Sequence, residues 1–410
     1  MTKQRADLTF KHNLEKGRHG WLRLTPAYSL KMVKRFLPMD GEAKTILDPF
    51  SGSGTTPLFA SHAGHEVLAL EINPFLSWFA KTKTACYTEQ TVRELREVGQ
   101  AALEEFRNRE AGKAEAPPIH NIERWWNEAA LQFLCALKWS IEERRREVTE
   151  ETMDLLYVVF CRTLIKVSNA AFDHQSMSFD DDKEDAQPDL FEIEDQLAGI
   201  FESDLAFVAG SAEQNPPVQP KIISGDARKV AANVGQEVDL VITSPPYPNR
   251  MSYIRELRPY MYWTEHLVEA REAGELDWSA IGGTWGVATS RLSDWTPDLE
   301  NGYYPAYLTE ALAQIRSDQN RNGVKMANYV ARYFEDLLDH FESLSHVLAP
   351  GAKAHYVIGN STFYGVLIPA EKLYKEIMEK VGFRDVDVEI VRKRNSKKEL
   401  YEFVVSGTYR

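Results

Sequence analysis

The sequence predicts an α/β fold built on a mostly parallel sheet that two insertions interrupt. A short apolar strand, a glycine-rich turn, a helix and a second strand follow one another within residues 45–84, which is the order typical of parallel α/β sheets. The same strand pattern resumes after residue 220. Two β-rich runs then close the chain, and their succession predicts a terminal hairpin with one antiparallel strand.

The predicted elements follow in order along the chain. In the first part the strands are 45–48 and 65–71, with helices from about residue 55 and over 74–84. Apolar residues recur at three- and four-residue spacing through 88–215, which predicts a mainly helical insertion. Strands are expected again at 221–225, 238–243, 352–358, 383–393 and 400–409, with helices over 327–347 and 370–381. A second insertion, 257–325, contains a tryptophan-bearing loop at 277–295 that we interpret as a wall or lid of a cleft.

These boundaries divide the chain into one α/β domain interrupted twice. The segments are 1–87 (first part of the α/β domain), 88–215 (helical insertion), 216–256 (α/β domain continued), 257–325 (second insertion) and 326–410 (end of the α/β domain).

Composition and charge limit the possible classes of protein. The 410 residues include 43% hydrophobic ones and carry a formal net charge of −13, so a large core can form. Residues 173–204 hold twelve acidic residues and one lysine, and we interpret this segment as loop-like. The rest of the chain is nearly neutral, which leaves room for a local basic groove. The absence of a long apolar run and of paired cysteine spacings predicts a cytoplasmic protein without a membrane span, disulfide framework or zinc site.

The glycine turn, ILDPFSGSGTT at 46–56, brings backbone close to a ligand at the end of the first strand. A triphosphate loop would need a lysine after Gly54, and a dinucleotide turn would need a glycine where Pro57 stands. S-adenosylmethionine has a cationic end, and an acidic residue at the strand end, here Asp48, suits it. Glu71, which ends the second strand, is placed to accept the ribose hydroxyls. Asp226, after the third strand, could accept the adenine amino group.

A second motif, ITSPPY at 242–247, follows another apolar strand. Together with ILDPFSGSGTT it resembles the amino-group DNA methyltransferases, which methylate cytosine N4 or adenine N6. The resemblance covers 19–87, 220–256 and 338–407, and WLRLTPAYSL at 21–30 is similar to the family element that packs on the methionine end of the cofactor. It implies a class I, Rossmann-like methyltransferase fold with a seven-stranded sheet.

The resemblance also implies the site residues. S-adenosylmethionine would be bound by Thr25, Asp48, Pro49, Phe50, Gly52, Gly54, Thr55, Glu71, Ile72, Asp226, Ala227 and Ser244. Catalysis would depend on Ser244, Pro245, Pro246 and Tyr247: the Ser244 side chain and the Pro245 carbonyl accept hydrogen bonds from the target amine, and Tyr247 stacks on the flipped base. DNA would be contacted by Asn249, Arg250, Arg392, Lys393 and Arg394.

The expected function is therefore site-specific DNA methylation. Serine as the first residue of the tetrapeptide Ser-Pro-Pro-Tyr (244–247) goes mostly with cytosine N4 in the family. The alternatives are adenine N6, guanosine N2 in RNA, and a catalytically silent DNA-binding regulator. The expected partners are double-stranded DNA and a separately encoded restriction endonuclease of a prokaryotic restriction–modification system, with no metal and no membrane. Sequence recognition is assigned first to the insertion 88–215, and the protein is expected in the cytoplasm, associated with the nucleoid through DNA.

Overall fold

The computed structural model describes residues 5–24, 27–39, 41–171, 178–179, 190–249, 252–283, 287–318, 322–394 and 399–410. Two predicted site residues, Thr25 and Arg250, lie outside the described residues. Within the described part of the chain, no helix is long and apolar enough to cross a membrane. The three cysteines are free thiols, two of them buried.

The strands are β1 (Thr45–Asp48), β2 (Glu66–Glu71), β3 (Ala170–Ala171), β4 (Ser178–Phe179), β5 (Lys221–Ser224), β6 (Val238–Thr243), β7 (Leu348–Gly359), β8 (Ser361–Phe363), β9 (Val366–Ile368), β10 (Phe383–Lys393) and β11 (Tyr401–Tyr409). The helices are α1 (Leu30–Phe36), α2 (Thr55–His62), α3 (Pro74–Thr84), α4 (Glu89–Arg107), α5 (Ile122–Trp125), α6 (Glu128–Glu143), α7 (Glu150–Lys166), α8 (Leu190–Ala212), α9 (Val230–Asn233), α10 (Tyr253–Trp263), α11 (Ala270–Ser279), α12 (Val287–Asp294), α13 (Ala306–Ser317), α14 (Gly323–Ser345) and α15 (Ala370–Lys380). Short 3₁₀ turns cover Ala6–Leu8, Phe10–Asn13, Gly17–Gly20 and Ala227–Lys229.

Seven strands form one sheet in the order β10–β11–β7–β6–β1–β2–β5. Strand β11 is antiparallel to both of its neighbours, and the other pairings are parallel. The predicted fold class is therefore confirmed: a Rossmann-like sheet of seven strands whose terminal hairpin supplies the antiparallel strand.

Within the sheet, β2 lies next to β1 on one edge, and β6, which comes later in the chain, lies next to β1 on its other edge. Ile46 pairs with Leu240 and Leu47 with Val241, so the two motif-bearing strands are direct neighbours. Ligands of open α/β sheets bind at such a switch point, outside the carboxyl ends of the strands. The topology therefore brings both sequence motifs to one end of the sheet.

Local sequence explains the elements around this point. The β1 residues Ile46 and Leu47 are fully buried, as expected of a central parallel strand. Helix α3 begins where Asn73 accepts hydrogen bonds from the amides of Phe75 and Leu76, with proline at its first position. This cap fixes the chain direction immediately after Glu71.

The helical segment 88–215 shares a core with helices of the α/β domain. Buried residues of α4, α6, α7 and α8 form one apolar cluster with α3 and α10. Arg18, only 2% exposed, donates to the carbonyls of Ala85 and Ala212, which lie beyond α3 and at the end of α8. The Arg18 guanidinium thus links the first helices of the α/β domain to the helical insertion.

The expectation of a loop over 173–204 is wrong in its second half, because α8 begins at Leu190. Asp204 in this helix is fully buried and accepts hydrogen bonds from Arg162 and Lys166, both at 2.5 Å. The acidic composition of the segment did not predict that one of its carboxylates, Asp204, is buried and paired. The residues 172–177 and 180–189 lie outside the described part of the chain.

The second insertion also has more helix than expected. Helices α11 and α12 cover much of the segment 277–295, which we interpreted as a tryptophan-bearing loop. The guanidinium of Arg332 lies 3.7 Å from the centre of the Trp278 ring. Trp278 thus packs against α14, which carries Arg332.

Candidate active site

A cavity of about 1030 Å³ opens at the carboxyl ends of β1, β2, β5 and β6, and both motifs line it. The predicted site residues in its wall are Pro49, Phe50, Gly52, Thr55, Glu71, Ile72, Asp226, Ala227, Ser244, Pro245, Pro246, Tyr247, Asn249, Arg392 and Arg394. Asp48, Gly54 and Lys393, which were also predicted, do not line it. The structure therefore brings most of the predicted residues around one space.

The glycine turn needs its glycines for backbone geometry. Gly52 and Gly54 have φ values of +52° and +73°, in the left-handed region that glycine adopts most easily. A Cβ on Gly54 would also lie 3.1 Å from the Cβ of Ala80 on α3. Gly54 thus allows the turn to pack closely on α3, although it does not face the cavity.

A buried lysine that the sequence analysis missed supports the same turn. Lys83 on α3 is 1% exposed, and its Nζ donates to the Ser53 carbonyl at 2.8 Å. Burial lowers the pKa of this ammonium to about 7. Its sequence signal was weak, because a lysine in the last turn of a helix is usually at the surface.

Asp48 lies behind the turn. Its side chain is fully buried, and Oδ1 accepts hydrogen bonds from Thr243 Oγ1 at 2.6 Å and from the Phe50 amide at 3.2 Å. Asp48 Oδ2 has no hydrogen-bond partner among the described residues. Burial raises the pKa of this carboxyl to about 6. Asp48 therefore joins the glycine turn to strand β6.

Glu71 stands in the cavity wall, where a ribose acceptor was expected. Its Oε2 accepts the Gly52 amide at 2.7 Å, and its Oε1 accepts the Asn73 amide at 2.8 Å. Burial raises the pKa of this carboxyl to about 7. Each carboxylate oxygen can accept a second hydrogen bond, so Glu71 can still take a pair of hydroxyl donors.

Asp226 lines the cavity but is already paired. Arg228 donates to both of its carboxylate oxygens, with Nε and Nη2 at 3.0 and 2.6 Å, and also reaches Asp336 through Nη1 at 2.7 Å. An adenine amino group would have to share Asp226 with this guanidinium. The sequence Gly225-Asp-Ala-Arg228 places an arginine two residues after Asp226, but it does not predict that the arginine side chain binds the aspartate.

The Ser-Pro-Pro-Tyr loop is held from several sides. Ser244 Oγ donates to the Val357 carbonyl at 3.0 Å. Tyr333 donates to the Pro246 carbonyl and Tyr329 to the Asn249 carbonyl, each at 2.7 Å.

The two supporting tyrosines are fully buried neighbours on α14, spaced four residues apart, so they share one helix face. That spacing, in NYVARYF, was the signal that could have found them.

Tyr247 is anchored by a residue that the sequence analysis missed. Its hydroxyl donates to Glu402 Oε1 at 3.0 Å, and the Arg394 guanidinium lies 4.8 Å from the ring centre. Glu402 also binds Arg392 through two hydrogen bonds of 2.8 and 2.9 Å. Arg392, which was predicted to contact DNA, is thus paired within the sheet.

The cavity combines features that fit a nucleoside with a cationic tail. Glu71 offers acceptors for a diol, and the apolar side chains of Ile72 and Leu76 lie beside it. Behind the turn, the buried atoms Asp48 Oδ2 and Ser51 Oγ have no hydrogen-bond partner among the described residues. Buried polar atoms without partners are uncommon in folded proteins, and here they adjoin the predicted ligand site.

Comparisons with known proteins find similar sequences. The type II methyltransferase M.BsoBI of Geobacillus stearothermophilus is 24% identical over 98% of this chain and 86% of its own length. The chain is similar to type II methyltransferases. M.MvaI of Kocuria varians is 21% identical over 87% of this chain and 79% of its own length. The predicted resemblance to methyltransferases is thereby confirmed, because the first of these similarities covers nearly the whole chain.

Other comparisons are less informative. No family model matches the chain. The structure of TrmN from Thermus thermophilus is 11% identical, with a TM-score of 0.32 over 55% of that chain. The rRNA methyltransferase aviRa from Streptomyces viridochromogenes is 12% identical, with a TM-score of 0.28 over 86% of that chain. These scores are too low to bear on the site, and the strand order alone carries the fold class.

Proposed function

We propose that this chain is a site-specific DNA methyltransferase that methylates the exocyclic amine of a flipped base, cytosine N4, with S-adenosylmethionine as donor. The observation that carries the proposal is the shared cavity, which places the glycine turn and the Ser-Pro-Pro-Tyr loop around one space. S-adenosylmethionine would supply an electrophilic methyl group on a positively charged sulfur. Glu71, Ile72 and the turn at Gly52 would hold its nucleoside part.

The amine of a base is a weak nucleophile, because its lone pair is delocalised into the ring. Acceptors placed around its two protons make the nitrogen more tetrahedral and more reactive. Ser244 suits this role, since its own proton is already donated to the Val357 carbonyl and its lone pairs remain available. The Pro245 carbonyl is the second acceptor. The product amine sheds its proton readily, so the site needs no strong base.

Preorganisation supports the same chemistry. The proposed acceptors, Ser244 and the Pro245 carbonyl, stand in a loop whose Pro246 and Asn249 carbonyls are fixed by buried tyrosines and whose backbone the prolines restrict. Acceptors that are already in place need no rearrangement when charge develops on the reacting amine. The ring of Tyr247 offers a face for the flipped base.

The remaining parts of the proposal concern the target and its partners. Serine at position 244 favours cytosine over adenine. Asn249 and Arg394 line the cavity and are proposed to face DNA. The helical insertion 88–215 is proposed to read the sequence, and a separately encoded restriction endonuclease in a prokaryotic cytoplasm is proposed as the functional partner.

The direct test is transfer of a tritiated methyl group from S-adenosylmethionine to unmethylated bacterial DNA. We expect labelled DNA with the wild-type protein and at least a 100-fold lower rate with Ser244→Ala, because one acceptor for the amine is lost. Ser317→Ala, an exposed serine on α13, is the matched control and should keep full activity. Label that enters only added RNA would contradict the proposal, as would an unchanged rate in Ser244→Ala.

A further inference from the structure

Three residues on adjacent strands form a row that ends at Tyr247. Arg392 on β10 pairs with Glu402 on β11, and Glu402 pairs with Gly359 on β7. Glu402 is 4% exposed, so its charge must be compensated inside the protein. Arg392 supplies that compensation with two hydrogen bonds in a fork.

The other end of the row receives the Tyr247 ring. The hydroxyl of Tyr247 reaches Glu402, and a Cβ on Gly359 would lie 2.8 and 2.9 Å from two carbons of the ring. Carbon atoms normally approach to about 3.5 Å or more. The ring therefore rests against the bare backbone of Gly359 and is tethered at its hydroxyl end.

These two contacts restrict rotation of the Tyr247 side chain. A tyrosine has two rotatable side-chain bonds, and the ring must present one face at a fixed height to stack on a base. The glycine contact sets the height of the ring, and the carboxylate sets the position of the hydroxyl. Neither Glu402 nor Gly359 belongs to the two motifs.

We infer that Glu402 is a positioning residue, which holds the Tyr247 ring where the target base stacks, and that Arg392 supports Glu402 instead of contacting DNA. This inference rests on the proposed function. It assigns a role in methyl transfer to a buried ion pair in the terminal hairpin, far in sequence from the catalytic loop.

A double-mutant cycle tests the inference. Tyr247→Phe keeps the ring and removes only the hydroxyl, whereas Glu402→Leu removes both carboxylate oxygens and with them the acceptor for that hydroxyl. Each change is expected to lower the single-turnover rate of methyl transfer to DNA about tenfold, the effect of losing one orienting hydrogen bond. The double variant should be no slower than the slower single variant, because both changes break the same contact.

Two further measurements separate positioning from general damage. The Kd for S-adenosylhomocysteine should stay within twofold in all three variants, because the tether does not touch the residues proposed to hold the nucleoside. Glu399→Gln removes an exposed carboxylate of the same hairpin and should keep the wild-type rate.

The outcomes are distinct. Rate losses that multiply in the double variant, or an unchanged rate in Tyr247→Phe, would overturn the positioning role while leaving the proposed function intact. Should Glu402→Leu fail to fold, Tyr247→Phe alone still decides, since it removes the same hydrogen bond with the ring in place. A wild-type protein that labels no DNA would instead overturn the proposed function, and the inference with it.

Discussion

Replacement of Gly359 by alanine should disturb the Tyr247 ring by a calculable amount. The added Cβ would lie 2.8 Å from a ring carbon, so restoring a contact of about 3.5 Å requires a movement of about 0.7 Å. The Arg394 guanidinium would also meet that Cβ, and moving away would cost it the hydrogen bond that its Nη1 donates to the Asn360 carbonyl at 2.8 Å. The ring cannot move freely either, because its hydroxyl is bound to Glu402.

A misplacement approaching 1 Å can slow an enzymatic step about 100-fold. For Gly359→Ala we expect the single-turnover rate of methyl transfer to fall roughly 10- to 100-fold, which corresponds to about 1.4–2.7 kcal/mol in the barrier. The assay measures transfer of a tritiated methyl group from S-adenosylmethionine to DNA, with the protein in excess over the DNA. Gly199→Ala is the control, because nothing lies within 4 Å of its added Cβ. A Gly359→Ala rate within twofold of wild type would refute the claim that this glycine sets the ring position.

Three more predictions concern buried carboxyl groups. Burial raises the pKa of Glu71 to about 7, and hydroxyl donors favour its charged form, so the affinity for S-adenosylhomocysteine should rise from pH 6 to pH 8. In Glu71→Gln the affinity should be weak and independent of pH over this range. Titration calorimetry checks this, and the same pH dependence of the affinity in both proteins would contradict it. The same raised pKa means that the folded state holds the proton more tightly, so the contribution of Glu71 to the free energy of unfolding should decrease as the pH rises from about 4.5 to about 7. Asp204→Ala should lower the free energy of unfolding by about 3 kcal/mol in urea titration, because Arg162 loses a buried partner. Asp195 is an exposed residue of the same helix, so Asp195→Ala is the control and should change the free energy of unfolding little. Equal effects of the two substitutions would refute the role of the buried pair.

The sequence predicted the sheet because its signals are local. Strand β1 was expected at the residues it occupies, and the terminal runs became β10 and β11 as predicted. Parallel strands align their carboxyl ends at one edge, so motifs at the ends of β1 and β6 had to meet. For the same reason the positions of Glu71 and Ser244 around one cavity followed from the sequence.

The supporting contacts could not be predicted, because they depend on distant residues and on strand register. Glu402 reaches Tyr247 across 155 positions of sequence, and only the register of β11 directs it to the cavity. The burial of Lys83 and Asp204 could not be predicted for another reason. Charged residues are usually exposed, and composition does not show which ones are buried. Arg392 looked like part of a basic DNA-binding turn, and its pairing within the hairpin depends on the cross-strand register.

The central claim is methylation of an exocyclic amine on DNA, and the chemical identity of the product tests it most directly. DNA from cells that express the protein, with cells expressing Ser244→Ala as the control, can be digested to nucleosides and examined by mass spectrometry. We predict N4-methylcytosine in the first sample and its absence in the second. N6-methyladenine as the product would contradict the cytosine assignment, and DNA without any new methylated base would contradict the claim itself.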